Sequence, residues 1–189
     1  MAVPMYAEIL FDAIDADAVG DHRKAILYSA IAVESMAATR IDEMHELAWR
    51  DSDAGLRRVA IRTGTGDSVE KDPVFDRLRK DSERNFRLLL HELPLYILRR
   101  SLLLEDDHLH RDLMTLRSTR NDLVHSGTVE PHARLPVDRH GAKQALDSAI
   151  RAYEWFGASG RYVTIHGHEM EVAKSCTVRG STQAAGRAP

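Results

Sequence analysis

The chain has little of several things. It holds one cysteine, Cys176, so an intramolecular disulfide is excluded and a cysteine-built metal site has too few ligands. It lacks an excess of positive charge: the formal net charge is −3 and the pI is about 6.4. A protein that coats nucleic acid through bulk charge needs a basic domain or stripe, so any contact with RNA or DNA must be local. No uninterrupted apolar run is long enough to span a bilayer. The first twenty residues, MAVPMYAEILFDAIDADAVG, have no basic leading region and carry acids among their apolar residues, which is not the pattern of a secretory signal. A reducing cytoplasm is the expected compartment, with no membrane partner. Also missing are an internal repeat, a coiled-coil heptad run, a nucleophile elbow, a zinc signature and a dinucleotide fingerprint.

What is present is a globular composition dominated by the helical period. The 189 residues, 43% of them hydrophobic and 29% charged, suit one domain with an extension. Apolar residues at helical spacing over 5–18 predict a first helix, and Gly20-Asp21 a stop and restart. The stretch 21–49 is rich in alanine and free of glycine and proline, which predicts one long helix. Residues 50–71 are polar and glycine-bearing and read as a surface loop inserted in the domain. Asp72-Pro73 has the form of an N-cap followed by proline at the first helical position, opening helical segments that Pro94 is expected to kink or restart. A further helix runs from about Leu103 or Glu105 to Ser126, closed by Gly127, and another from Asp138 to Phe156, ending near Gly157 and Gly160. The expectation is an all-α bundle of about five helices over 1–160. A C-terminal extension follows over 161–189, with a short hairpin at 161–172 and then a poorly ordered tail.

Two charged residues interrupt the apolar rhythm. Leu109, Leu113 and Leu116 are spaced by four and three, and the same rhythm leads to Arg120 before Leu123 and Val124. In the long second helix Leu27, Ala30, Ala37, Ile41 and Met44 keep step when Glu34 fills the gap between Ala30 and Ala37. A lone buried charge costs several kcal/mol, whereas opposite charges that face each other are tolerated, so Glu34 and Arg120 are expected to meet across neighbouring helices. The competing reading is that one or both flank the core and reach solvent along their stems.

The residues around Arg120 add further polar groups. Arg117, Asn121 and His125 form an i, i+4, i+8 row, with Arg120 beside it. On an ideal helix Arg120 and His125 diverge by roughly 140°, although His125 lies in the last turn and arginine is long. His125 could equally cap that helix end. Elsewhere, the two histidines of 106–112 point about 200° apart on a helix, which is poor geometry for a metal. The glycines of 63–67 lack the strand and lysine of a phosphate-binding loop. His166-Gly167-His168 reads as a turn. No metal ligand set is assigned.

The stretch Arg120-Asn121-Asp122-Leu123-Val124-His125-Ser126-Gly127 resembles the R-(polar)-x-x-x-H signature of the HEPN superfamily, small all-helical domains in which these residues close the third core helix. The resemblance spans about 1–157 in helix order, while its specific part is the eight-residue motif. It implies a metal-independent endoribonuclease that needs no cofactor, with Arg120 and His125 as catalytic pair and Asn121 as their polar neighbour. Glu34 matches the inward acidic position of the second helix, without the Lys-Arg pair that follows it in some families. Arg117 joins as a supporting or substrate-binding residue on helix geometry alone. The resemblance further implies a homodimer with a shared cleft for RNA, a place in prokaryotic defence or toxin–antitoxin regulation, and an antitoxin or other protein partner. Because many superfamily members do not cleave RNA, a non-catalytic module that binds a nucleotide, RNA or protein is the alternative.

Overall fold

The computed structural model describes residues 3–50, 56–62, 68–125 and 135–159, and among them the fold is all-α apart from one antiparallel strand pair. Helix α1 (Met5–Ala18) ends where Gly20 takes φ +80°, a conformation open to glycine for want of a Cβ. The amides of Gly20 and Asp21 turn back to the carbonyls of Asp17 and Ala16, and the Asp21 carboxylate accepts from the Lys24 amide at 3.1 Å. One glycine and one aspartate thus stop α1 and start α2 (His22–Arg50). The expected stop and restart is present.

Helix α2 is the axis of the domain. Its alanines let neighbours approach closely, and α1, α7 (Asp107–His125) and α8 (Arg139–Ser159) all pack on it. Ile26, Ile41 and Met44 of α2 are sealed in the same core as Leu113 and Leu116 of α7 and Phe156 of α8. Between α2 and α7 lie the shorter helices α3 (Pro73–Ser82), α4 (Arg87–Leu90), α5 (Glu92–Leu98) and α6 (Leu102–Glu105). The expected count of about five helices was therefore low, because the 73–105 stretch is broken into four pieces. The restart expected at Pro94 is present. The helix parts at His91, and Pro94 sits in the first turn of α5, where its missing N–H would have had no intrahelical partner.

The segment read as a loop over 50–71 instead forms strands β1 (Val59–Arg62) and β2 (Ser68–Lys71). They pair antiparallel with Val59 opposite Lys71 and Ile61 opposite Val69. Arg58 holds this strand pair against the end of α2: its guanidinium lies 4.7 Å from the Trp49 ring centre, donates to the Trp49 carbonyl and pairs with Glu70 at 3.7 Å. Asp72 then caps α3, as its place before Pro73 predicts, accepting from the amides of Val74 at 3.1 Å and Phe75 at 3.0 Å. The same buried carboxylate receives the Tyr96 hydroxyl at 2.9 Å and lies 3.3 Å from Nε2 of His45, whose ring stacks on Phe75. One residue ties α2, α3 and α5 together.

Helix α8 begins after Asp138, whose carboxylate accepts the Gly141 amide, and runs through Gly157 to Ser159, an end within the expected range. A Cβ at Gly141 would lie 1.9 Å from the Pro136 carbonyl oxygen, so glycine is what lets the chain pass this turn. Gly127, the two glycines of 63–67, the hairpin expected over 161–172, His166, His168 and Cys176 lie outside the described residues.

Candidate functional site

The apolar seams are continuous, and the two interruptions expected from spacing are absent. In α7 the buried row runs Leu109, Leu113, Leu116, Thr119, Leu123; Thr119, not Arg120, follows Leu116. Thr119 is admitted to the core because its hydroxyl is fully used: it donates to the Thr115 carbonyl at 2.9 Å and accepts the Leu135 amide at 3.0 Å. In α2 the row runs Ala30, Val33, Ala37, Ile41, Met44, so Val33 fills the place given to Glu34. Glu34 and Arg120 both lie one residue to the side, half-buried. Val124, expected in the seam, is exposed.

The predicted pairing changes accordingly. Glu34 faces Arg117, its Oε1 3.8 Å from the Arg117 Nε, too long for a hydrogen bond. Arg117 also lies over the Phe86 ring, 5.1 Å from its centre. Burial pulls the Arg117 pKa down from the ordinary arginine value; Glu34 opposes this, and the neighbouring Arg120 adds like charge. The buried Glu34–Arg120 pair is corrected to a half-buried Glu34–Arg117 pair with Arg120 as a second cation beside it. Arg120 instead donates from Nη1 to the Asn121 Oδ1 at 2.8 Å, while its Nε is buried without a hydrogen-bond partner, as is the Glu34 Oε1. Five other buried side-chain atoms among the described residues, on Asp17, His22, Ser29, Glu92 and His110, likewise lack a partner, so this feature is not peculiar to the Glu34–Arg120 face.

His125 is exposed in the last turn of α7. The cap that spacing alone would allow it to supply comes from elsewhere: Arg23, in the first turn of α2, donates from Nη2 to the Leu123 carbonyl at 3.1 Å. Arg23 was missed by sequence reasoning, and no local pattern reveals it, since the bond joins residues 100 positions apart. The contact also shows the two helices running antiparallel, with the start of α2 against the end of α7 and Glu34 further along against Arg117. The site therefore gathers Glu34, Arg117, Arg120 and Asn121 on the α2–α7 face, with Arg23 and His125 at its end.

Two clefts lie elsewhere among the described residues. One, of about 550 Å³, is apolar and lies between α1 and α8 beside Phe11 and Tyr153; the other, of about 360 Å³, lies between α2 and the strand pair beside Trp49 and Lys71. Neither is lined by Arg120 or His125. The two histidines of 106–112 diverge as expected: His108 is exposed and contacts Arg111, whereas His110 is buried. Among the described residues, no three His, Cys, Asp or Glu side chains gather as a metal site, and no helix is long and apolar enough to cross a membrane. Searches against known protein families, curated proteins and solved structures find no match to this chain.

Proposed function

We propose that the chain is a metal-independent endoribonuclease of the HEPN type, with Arg120 and His125 as its catalytic residues. The observation that supports this reading most is that Arg120 is neither in the apolar seam nor in the Glu34 pair, so its charge is available to a phosphate. A guanidinium suits that task because it stays charged and offers a planar fork of donors to two phosphate oxygens. Asn121 holds one arm of the fork, and Arg117, seated on Phe86, offsets the Glu34 charge so that this carboxylate does not compete for Arg120.

In the reaction, the ribose 2′-oxygen attacks the adjacent phosphorus as the bond from phosphorus to the 5′-oxygen breaks. The 2′-hydroxyl proton passes to a base and another proton is given to the departing oxygen, leaving a 2′,3′-cyclic phosphate and a 5′-hydroxyl. Imidazole suits both transfers near neutral pH. Each chain brings one His125 to the site, so the proposed active unit is a homodimer in which two Arg120–His125 sets share a cleft and divide the roles of acid and base. RNA is the substrate, and the setting is a cytoplasmic role in prokaryotic defence or toxin–antitoxin regulation, with an antitoxin or other protein as partner.

A second reading, a non-catalytic module that holds a nucleotide, RNA or protein, is favoured by one observation: Arg120 is already hydrogen-bonded to Asn121 and lines neither of the two clefts described above. A nuclease assay in the presence of chelator decides between the two. Wild-type protein is expected to cleave RNA, and Arg120→Ala and His125→Ala to lose about a hundredfold or more of the rate while keeping wild-type melting curves. A wild-type protein inert on every RNA but able to bind nucleotide would establish the module instead.

A further inference from the structure

The last four carbonyls of a helix have no intrahelical partner, and an end left to water frays. In α7 that end carries His125, exposed and two residues beyond Leu123. A single long-range side-chain bond is made to it among the described contacts: the Arg23 guanidinium, from the first turn of α2, donates to the Leu123 carbonyl at 3.1 Å. Arg23 is itself exposed and fills no core position, so packing does not account for it. A cation at a helix C-terminus is favoured by the helix dipole as well as by the hydrogen bond.

We propose that Arg23 is a positioning residue of the site, fixing the final turn of α7 so that His125 is held in register with Arg120. This rests on the ribonuclease reading given above. Proton transfer tolerates little displacement, and an error of about an ångström costs up to a hundredfold in rate. Arg23 acts from α2, the helix that also supplies Glu34, so one element supports both the Arg117 side of the site and the His125 end. A lysine at the same place can also donate to a carbonyl and carry the charge, whereas alanine can do neither.

The test compares wild-type, Arg23→Ala, Arg23→Lys and Arg120→Ala in steady-state cleavage of a labelled RNA, together with amide hydrogen exchange over 119–125. Arg23→Ala is expected to lower kcat about tenfold with KM little changed, and to speed exchange in the last turn of α7; Arg23→Lys is expected to recover most of both. A raised KM with kcat intact would overturn the proposal, since it would make Arg23 a phosphate contact. So would Arg23→Ala matching wild-type in rate, or unchanged exchange. If Arg120→Ala is inactive and Arg23→Ala is not, only this proposal fails. If wild-type protein itself does not cleave, the ribonuclease reading fails and the positioning role goes with it.

Discussion

Two carboxylates, Glu34 within α2 and Asp72 packed against it, are handled in opposite ways. Asp72 is fully enclosed, and its oxygens are met by two backbone amides, the Tyr96 hydroxyl and His45. Glu34 keeps a quarter of its side chain exposed, yet one of its oxygens is buried with no hydrogen bond and the nearest cation is 3.8 Å away. The Asp72 junction has the character of scaffold: each donor there has an acceptor, and any change strands a partner. The Glu34 face is under-satisfied, with Arg117 and Arg120 side by side and donors to spare. Satisfied polar groups hold a fold together, whereas an unsatisfied one contributes less to it.

The contrast is sharpest in stability. Asp72→Ala removes the α3 cap and strands the Tyr96 hydroxyl and His45, and is expected to cost about 3 kcal/mol in urea melts; a loss below 1 kcal/mol would erase the distinction between the two regions. Tyr96→Phe, which deletes one of the four donors to Asp72, is expected to cost about 1.5 kcal/mol in the same measurement. On the other face, a double-mutant cycle on Glu34 and Arg117 is expected to give a coupling of about 0.5–1 kcal/mol, and the parallel cycle on Glu34 and Arg120 nearly none. A large Glu34–Arg120 coupling would restore the buried pair that the seams argue against.

The smallest effect concerns His110, near neither carboxylate. Burial holds its pKa below the ordinary histidine value, with Arg87 and His91 adding to the effect and Glu92 and Asp107 opposing it. The unfolded chain then binds more protons than the folded one below about pH 6.5, so this contribution is intact above that pH and is lost as pH falls towards the folded pKa. Urea midpoints from pH 7.5 to 5.5 are expected to decline less in His110→Gln than in wild-type.

Much of the scaffold was legible because its signals are local. Alanine without glycine or proline marks α2, Gly20-Asp21 marks its start, and Asp72-Pro73 marks α3. The site was less legible, because spacing by threes and fours cannot tell position 119 from 120, or 33 from 34. What decides between them is whether Thr119 can satisfy its hydroxyl, and that depends on Leu135 beyond the helix. Arg117 was found from helix geometry, but its partner was misassigned for the same reason. The strand pair left a trace in Val59, Ile61 and Val69, too short to outweigh its polar setting. Arg23 left none.

Arg23, Glu34 and His45 are spaced eleven residues apart along α2, close to three whole turns each, so they lie along one stripe of the helix. At a rise of 1.5 Å per residue the stripe measures about 33 Å from the end that pins α7 to the end that meets Asp72. Over that length stiffness becomes leverage: a tilt of about 5° at the His45 end would carry Arg23 roughly 3 Å, as far as the hydrogen bond it makes is long.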